Sequence, residues 1–175
     1  TPALDALIDN RIMATAERDL LNFILTYGTT KLEFQSDSAF YSGSDEDALT
    51  VFDFIGQALE GDNSQFANSV FRKVYEAYSK DYYEGYSQDE IVKRLMDGED
   101  RDMAYVAAQL STDERYDLSV KNLRQSMMSK GSWLTIYVPK AILVYQQSRL
   151  EDKENELKER LGEAQAASDD DRVLA

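Results

Sequence analysis

Neither cysteine nor histidine occurs among the 175 residues of this chain. Without cysteine there are no disulfides and no thiolate sites. Without histidine the commonest general base and the commonest metal ligand are missing together, so zinc centres, Ser-His-Asp triads and Cys-His pairs are excluded. Cations are also scarce. Nineteen Lys and Arg stand against 33 Asp and Glu, a formal charge of −14, and a field of that sign repels a phosphate backbone, so direct nucleic-acid binding is not expected. No apolar run approaches the roughly 20 residues that span a bilayer, and no signal peptide is visible; a cytoplasmic protein is the expectation. There is no glycine-rich phosphate loop, no internal repeat and no low-complexity tract.

What remains is 43% apolar and 30% charged, enough for one core under a solvated surface, in one domain or one body with an appendage. The strongest periodic signal is Thr15–Gly28, TAERDLLNFILTYG. Leu20, Phe23, Ile24 and Tyr27 recur at helical spacing, with Leu21 and Leu25 widening the stripe. Thr15 is the expected cap, Glu17 and Asp19 the expected partners of the helix dipole, and Gly28 the expected left-handed stop. Residues 1–14 read as a leading linker or short helix, and the start at Thr1 suggests a fragment of a longer chain.

Downstream, Lys31–Gln35 alternates polar and apolar, a strand-like insert, followed by a Ser, Asp and Gly-rich loop. Asp37–Ser42 does not fit the calcium-loop pattern, and Ser44 and Asp47 read as helix start signals. Ala48–Glu60 and Phe66–Lys80 then show helical faces, with Tyr82, Tyr83 and Tyr86 crowding the next loop. Such rings can stack on bases, but among Asp81 and Glu84 they read better as the rim of a core. Ser87-Gln88-Asp89-Glu90 is a capping box opening a helix ended by Gly98; another runs from about Glu99 to Leu110, and Ser111–Glu114 is a second such signature or a turn.

Residues 117–140 invert the charge. Lys121, Arg124, Lys130 and Lys140 face only Asp117, with Met127, Met128 and Trp133 in the same stretch: a contact patch, or a junction plugged by Trp133. Gly131-Ser132 reads as a break and Pro139 as the first turn of a helix running to about Ala166. In its charged half Glu154 and Lys158, and Glu156 and Arg160, are i, i+4 pairs in the favourable order. Leu143, Leu150 and Leu157 repeat every seven residues, with Leu161 four beyond, a narrow seam for one partner helix. Ala164–Asp171 reads as a turn, with Ser168 opening a return helix that is cut off as it begins.

Carboxylates are plentiful, but none is embedded in an apolar segment that would shift its pKa. A carboxylate metal site in a bundle usually adds Glu-x-x-His, which this chain cannot supply. No catalytic residue, metal or cofactor is therefore assigned, and the projecting helix and the basic junction both suggest protein–protein contact.

Four segments carry a resemblance: ERDLLNFILTYG (17–28), VFDFIGQAL (51–59), FANSVFRKVYEAY (66–78) and IYVPKAILVYQQSRLEDKENELKERL (136–161). In this order and at these distances the chain resembles the C-terminal helicase-binding domain of bacterial DnaG-type DNA primases. The resemblance implies an all-α fold, with a helical bundle over residues 15–129 and a long helix beginning a truncated helical hairpin over 130–175. It implies a non-catalytic module of the primosome, docking on the N-terminal domains of the hexameric replicative helicase and so coupling primer synthesis to the fork in DNA replication. The zinc-binding and polymerase regions would lie upstream. The insert at 31–35 and its acidic loop exceed a minimal bundle. On the hairpin face Gln147, Leu150, Glu154 and Leu157 are the candidate partner-binding residues, although Leu150 and Leu157 would equally suit packing on a return helix. A lone seam helix could also pair with a second copy. The reading that competes with the primase is an unrelated helical adaptor using the long helix as a coiled-coil arm.

Overall fold

The computed structural model describes residues 2–111 and 129–174. Seven helices follow one another among them: α1 (Pro2–Asp5), α2 (Arg11–Tyr27), α3 (Val51–Gly61), α4 (Ser69–Glu84), α5 (Gln88–Met96), α6 (Arg101–Ser111) and α7 (Lys130–Leu174). The fold is all-α, as its periodicity predicts. In the 31–35 insert the pairing is a single antiparallel bridge, Lys31 to Thr50. The Leu32 N–H reaches the Leu49 carbonyl and the Val51 N–H the Thr30 carbonyl. One rung buries Leu32 without a second strand to extend the ladder.

The α2 helix is the hub, packing on α3, α4, α5, α6 and α7. Its Leu20, Leu21, Phe23, Ile24 and Leu25 are all buried, because neighbours approach from several sides. It begins four residues before the expected cap. Asn10, extended at φ −131°, accepts from the Met13 N–H, so Thr15 lies exposed within the helix. Glu17 is consequently not at a helix end at all, and it is buried. Gly28 does end the helix, but in right-handed geometry (φ −53°, ψ −38°). Its glycine is required by close approach, since a Cβ there would overlap the Tyr78 hydroxyl and the Ile24 carbonyl. The Gln88 amide covers this end, donating to the Ile24 and Leu25 carbonyls (3.0 and 2.7 Å), groups that a helix end otherwise leaves unpaired.

Other boundaries shift for similarly local reasons. Ser44 and Asp47 bond to each other rather than starting a helix; Thr50 caps α3, accepting from the Asp53 N–H at 3.1 Å. The α4 helix absorbs Tyr82 and Tyr83 and stops at Gly85, whose φ of +90° is the left-handed cap. Tyr82 packs on Phe52 and donates to Asp53 at 2.9 Å, as a core rim should, whereas Tyr83 faces solvent. The Ser87–Glu90 capping box is complete. Ser111 closes α6; the rest of that signature, with Lys121, Arg124, Met127 and Met128, lies outside the described residues.

The largest departure is α7. It starts at Lys130, with Ser129 Oγ accepting from the Ser132 N–H at 3.1 Å, so Gly131-Ser132 is a first turn rather than a break. Pro139 stands inside the helix, where its missing N–H leaves the Thr135 carbonyl without a helical donor. Trp133, Leu134, Val138, Ile142 and Tyr145 are all buried, and the Trp133 ring packs on Phe23, Tyr27 and Tyr137. These side chains of the first half of α7 thus complete the core of the bundle. At the other end the helix runs unbroken through Gly162 and residues 164–171. A turn and return helix are replaced by continuation, since Glu163–Ala167 are good helix formers and one exposed glycine costs only about 1 kcal/mol. At 45 residues α7 is about 68 Å long at 1.5 Å per residue.

Candidate functional site

Cavities first direct attention to the body. One, of about 760 Å³, is an open groove beside α4, α5 and α6. Its central charge is satisfied internally: Arg94 Nε donates to Asp81 at 2.8 Å, and the guanidinium lies 4.4 Å over the Tyr86 ring. Among the described residues no group of three or more Asp or Glu could hold a metal ion, and no helix is long and apolar enough to cross a membrane.

The feature that stands apart is the outer half of α7. Its last ties to the body are polar. Tyr145 donates to the Gln65 carbonyl (3.2 Å), Gln146 to Asp62 (2.7 Å), Arg149 to the Asp62 carbonyl (3.3 Å), and Asn10 to both carboxylate oxygens of Asp152 (3.1 Å). From Lys153 to Asp171 every residue is exposed. Along one face of the helix run Ile136, Leu143, Leu150, Leu157 and Leu161, exposed by 51, 59, 70, 62 and 60%. The first four are one heptad apart, and α-helical geometry keeps such positions nearly in line, drifting about 20° per heptad.

All four candidate residues lie on this face. Leu150 and Leu157 belong to the stripe; Gln147 and Glu154 occupy the intervening positions, and both are exposed. Glu154 is not a bare anion, for its carboxylate is 2.9 Å from Lys158 Nζ. Ile136 extends the stripe by one heptad toward the body, a position the same seven-residue spacing could have revealed.

A second group supports the site from beneath, and its members are dispersed in sequence. Asn10 caps α2 with its side-chain oxygen while its amide holds Asp152 on α7. Asn68 Oδ1 accepts from the Asp9 and Asn10 N–H groups (3.0 and 2.7 Å), and its amide donates to the Asn10 carbonyl and to Glu17. Glu17 in turn accepts from the Ala67 and Asn68 N–H groups, serving the start of α4, whose own cap residue Asn68 is turned away. Burial pushes the Glu17 carboxyl above its ordinary range, against the pull of its Asn68 and Ala67 hydrogen bonds. On Asp9 the Ser69 hydroxyl acts oppositely and holds the carboxyl below that range. The knot sets where α7 leaves the body. No sequence motif announces it, because each member is an ordinary polar residue until the helices meet.

The arrangement offers binding through an apolar strip on a projecting helix, anchored at its base. No curated protein and no solved structure matches the chain. A family match does exist, covering residues 7–175; the chain belongs to the family described as a domain of unknown function, DUF8430.

Proposed function

We propose that this domain is a non-catalytic recruitment module, cytoplasmic, whose projecting helix docks on the N-terminal domains of a hexameric replicative helicase and couples primer synthesis to the fork. The observation that carries the docking role is the row of exposed leucines on a helix that leaves the body at Asp152. Covering Leu150, Leu157 and Leu161 would release on the order of 5–9 kcal/mol gross, before the cost of ordering two bodies. The helicase as partner rests on the resemblance of the four segments to the primase domain. The heptad spacing also suits a helical adaptor for some other partner, and one experiment separates the two.

That experiment is a calorimetric titration of the domain against the replicative helicase of the same organism, with Leu150→Asp as control. Saturable binding that Leu150→Asp weakens by roughly a hundredfold is the expected result, about 2.8 kcal/mol at 1.4 kcal/mol per decade. Binding indifferent to Leu150→Asp moves the contact elsewhere. No binding by the folded domain overturns the recruitment role and leaves the adaptor.

A further inference from the structure

Another cleft, of about 440 Å³, opens on the body between α3 and α4. That volume suits a small molecule, whose sites run from roughly 300 to 1,000 Å³. From α3 it is lined by Asp53, Gly56, Gln57 and Glu60, and from α4 by Arg72, Tyr75, Glu76, Ser79 and Tyr83. In each set the residues recur three or four apart, so each helix turns one face to the cleft. An aromatic wall runs along it. The Tyr75 ring lies 5.6 Å from Phe52 and 5.1 Å from Phe66, and Tyr83 stands edge-on to Phe52 at 5.9 Å. Tyr83 is nonetheless 73% exposed, a large ring that the core leaves in water.

The carboxylates of Asp53, Glu60 and Glu76 line the cleft against one cation, Arg72. That cation is occupied: Nε donates to the Phe66 carbonyl (2.7 Å) and Nη2 to the Ala67 carbonyl (3.1 Å). Among the described residues none of the three carboxylates has an ion-pair partner. Their field reaches the rings. Burial first, then Tyr83, Glu60 and Asp53, push the Tyr75 phenol up to about 12, and burial, Asp53 and Glu60 raise that of Tyr83. Gly56 holds the floor open between Asp53 and Glu60. It stands inside α3, where glycine is a poor helix former, and no left-handed backbone calls for it. A Cβ there would lie 3.3 Å from the Tyr75 hydroxyl.

We infer that this cleft binds a linear polyamine, with ammonium groups at Asp53 and Glu60 and the alkyl chain over Gly56, against the Tyr75 and Tyr83 rings. Asp53 and Glu60 are seven residues apart on one helix, about 10 Å along its axis at 1.5 Å per residue. A chain with two ammonium ends spans that distance; one metal ion does not, and no group of described carboxylates could hold one. The faces of tyrosine rings attract an ammonium group. An anion would meet three carboxylates and an arginine already engaged. A single Lys or Arg side chain of a partner would bring one charge to a cleft that sets out three. The inference is independent of any docking by α7.

The probe is spermidine, titrated calorimetrically into the whole domain at about 0.15 M salt, where charges more than about 8 Å apart are largely screened. One saturable site is expected, and an equal concentration of magnesium ion should not displace it. Glu60→Gln and Tyr83→Ala, both at exposed positions, are each expected to weaken binding on the order of five- to tenfold. Gly56→Leu, with circular dichroism and a thermal melt confirming the fold, is expected to abolish it by filling the floor. Glu163→Gln removes the same charge from the exposed half of α7 and is expected to change nothing. The inference is overturned by the absence of a saturable site, or by displacement with magnesium, which would mean a diffuse ion atmosphere around a chain of charge −14. It is equally overturned if Glu163→Gln weakens binding as much as Glu60→Gln does, or if Gly56→Leu binds as wild type does. Tighter binding of a lysine-rich peptide than of spermidine at this cleft overturns it in favour of a protein partner.

Discussion

Two halves of one helix carry apolar residues at regular spacing and meet opposite fates. In residues 133–145 of α7 one face, Trp133, Leu134, Val138, Ile142 and Tyr145, is buried against the body; in residues 150–161 the leucines face water. The inner half is apolar nearly all round and includes a proline, and tertiary contact holds it helical. The outer half has no such contact, so its helicity rests on propensity and on local pairs such as Glu154–Lys158, each worth only a few tenths of a kcal/mol. The difference separates a helix that is part of a fold from a helix that the fold displays. Between them sits the polar knot of Asn10, Asn68, Glu17 and Asp152, which fixes the point of exit.

The comparison breaks most severely at Trp133. Replacing it by alanine empties the contact between α7 and α2, and a loss of about 3–5 kcal/mol is expected in chemical denaturation. Next comes the knot. Asn68→Ala leaves the Asp9 and Asn10 N–H groups and one side of Glu17 without their partner; a loss of about 2–3 kcal/mol is expected, at the rate of about 1–3 per buried group left unpaired.

A smaller effect sharpens the role of Glu17. Its folded pKa lies above its unfolded value, so the folded state binds more protons between the two, and its contribution grows as pH falls from above the folded pKa toward the ordinary carboxylate range. Denaturation of wild type and Glu17→Gln across pH 4.5–8 is expected to show the difference between them shifting in favour of wild type on the acid side. A constant difference would mean that Glu17 titrates as it does in the unfolded chain.

The smallest stability change belongs to the outer half. Leu157→Asp is expected to alter global stability by no more than about 0.5 kcal/mol, as for surface positions generally. In the same preparation partner binding should fall by roughly tenfold or more. A large loss of stability would show that Leu157 is covered within the folded chain.

How much was legible in the sequence depended on whether a signal was local. The Ser87–Glu90 box needs only its own four residues, and it forms as read. The period of the hub helix marks its body but not its start. Asn10 caps as well as Thr15 would, and only the docking of α4 and α7 onto that asparagine shows which start is used. Pro139 reads as a helix start and Ala164–Asp171 as a turn, because proline disfavours a helix interior and short polar residues favour turns. The core around Trp133 overrides the first, and the helix formers Glu163–Ala167 override the second. The candidate residues Gln147, Leu150, Glu154 and Leu157 fell on one face because a seven-residue repeat is a property of the chain, whereas the knot beneath them joins residues up to 142 positions apart and has no period.

The sequence by itself determined the all-helical class, the exclusion of thiol and imidazole chemistry, and the heptad stripe, since composition and spacing are fixed before folding. Tertiary structure alone decided that Trp133, Leu134, Val138, Ile142 and Tyr145 lie in the core and that a glutamate from α2 serves the start of α4. It also decided that the leucines beyond Asp152 stay exposed. Burial is a relation between segments, and the same apolar period is core where another helix meets it and surface where none does.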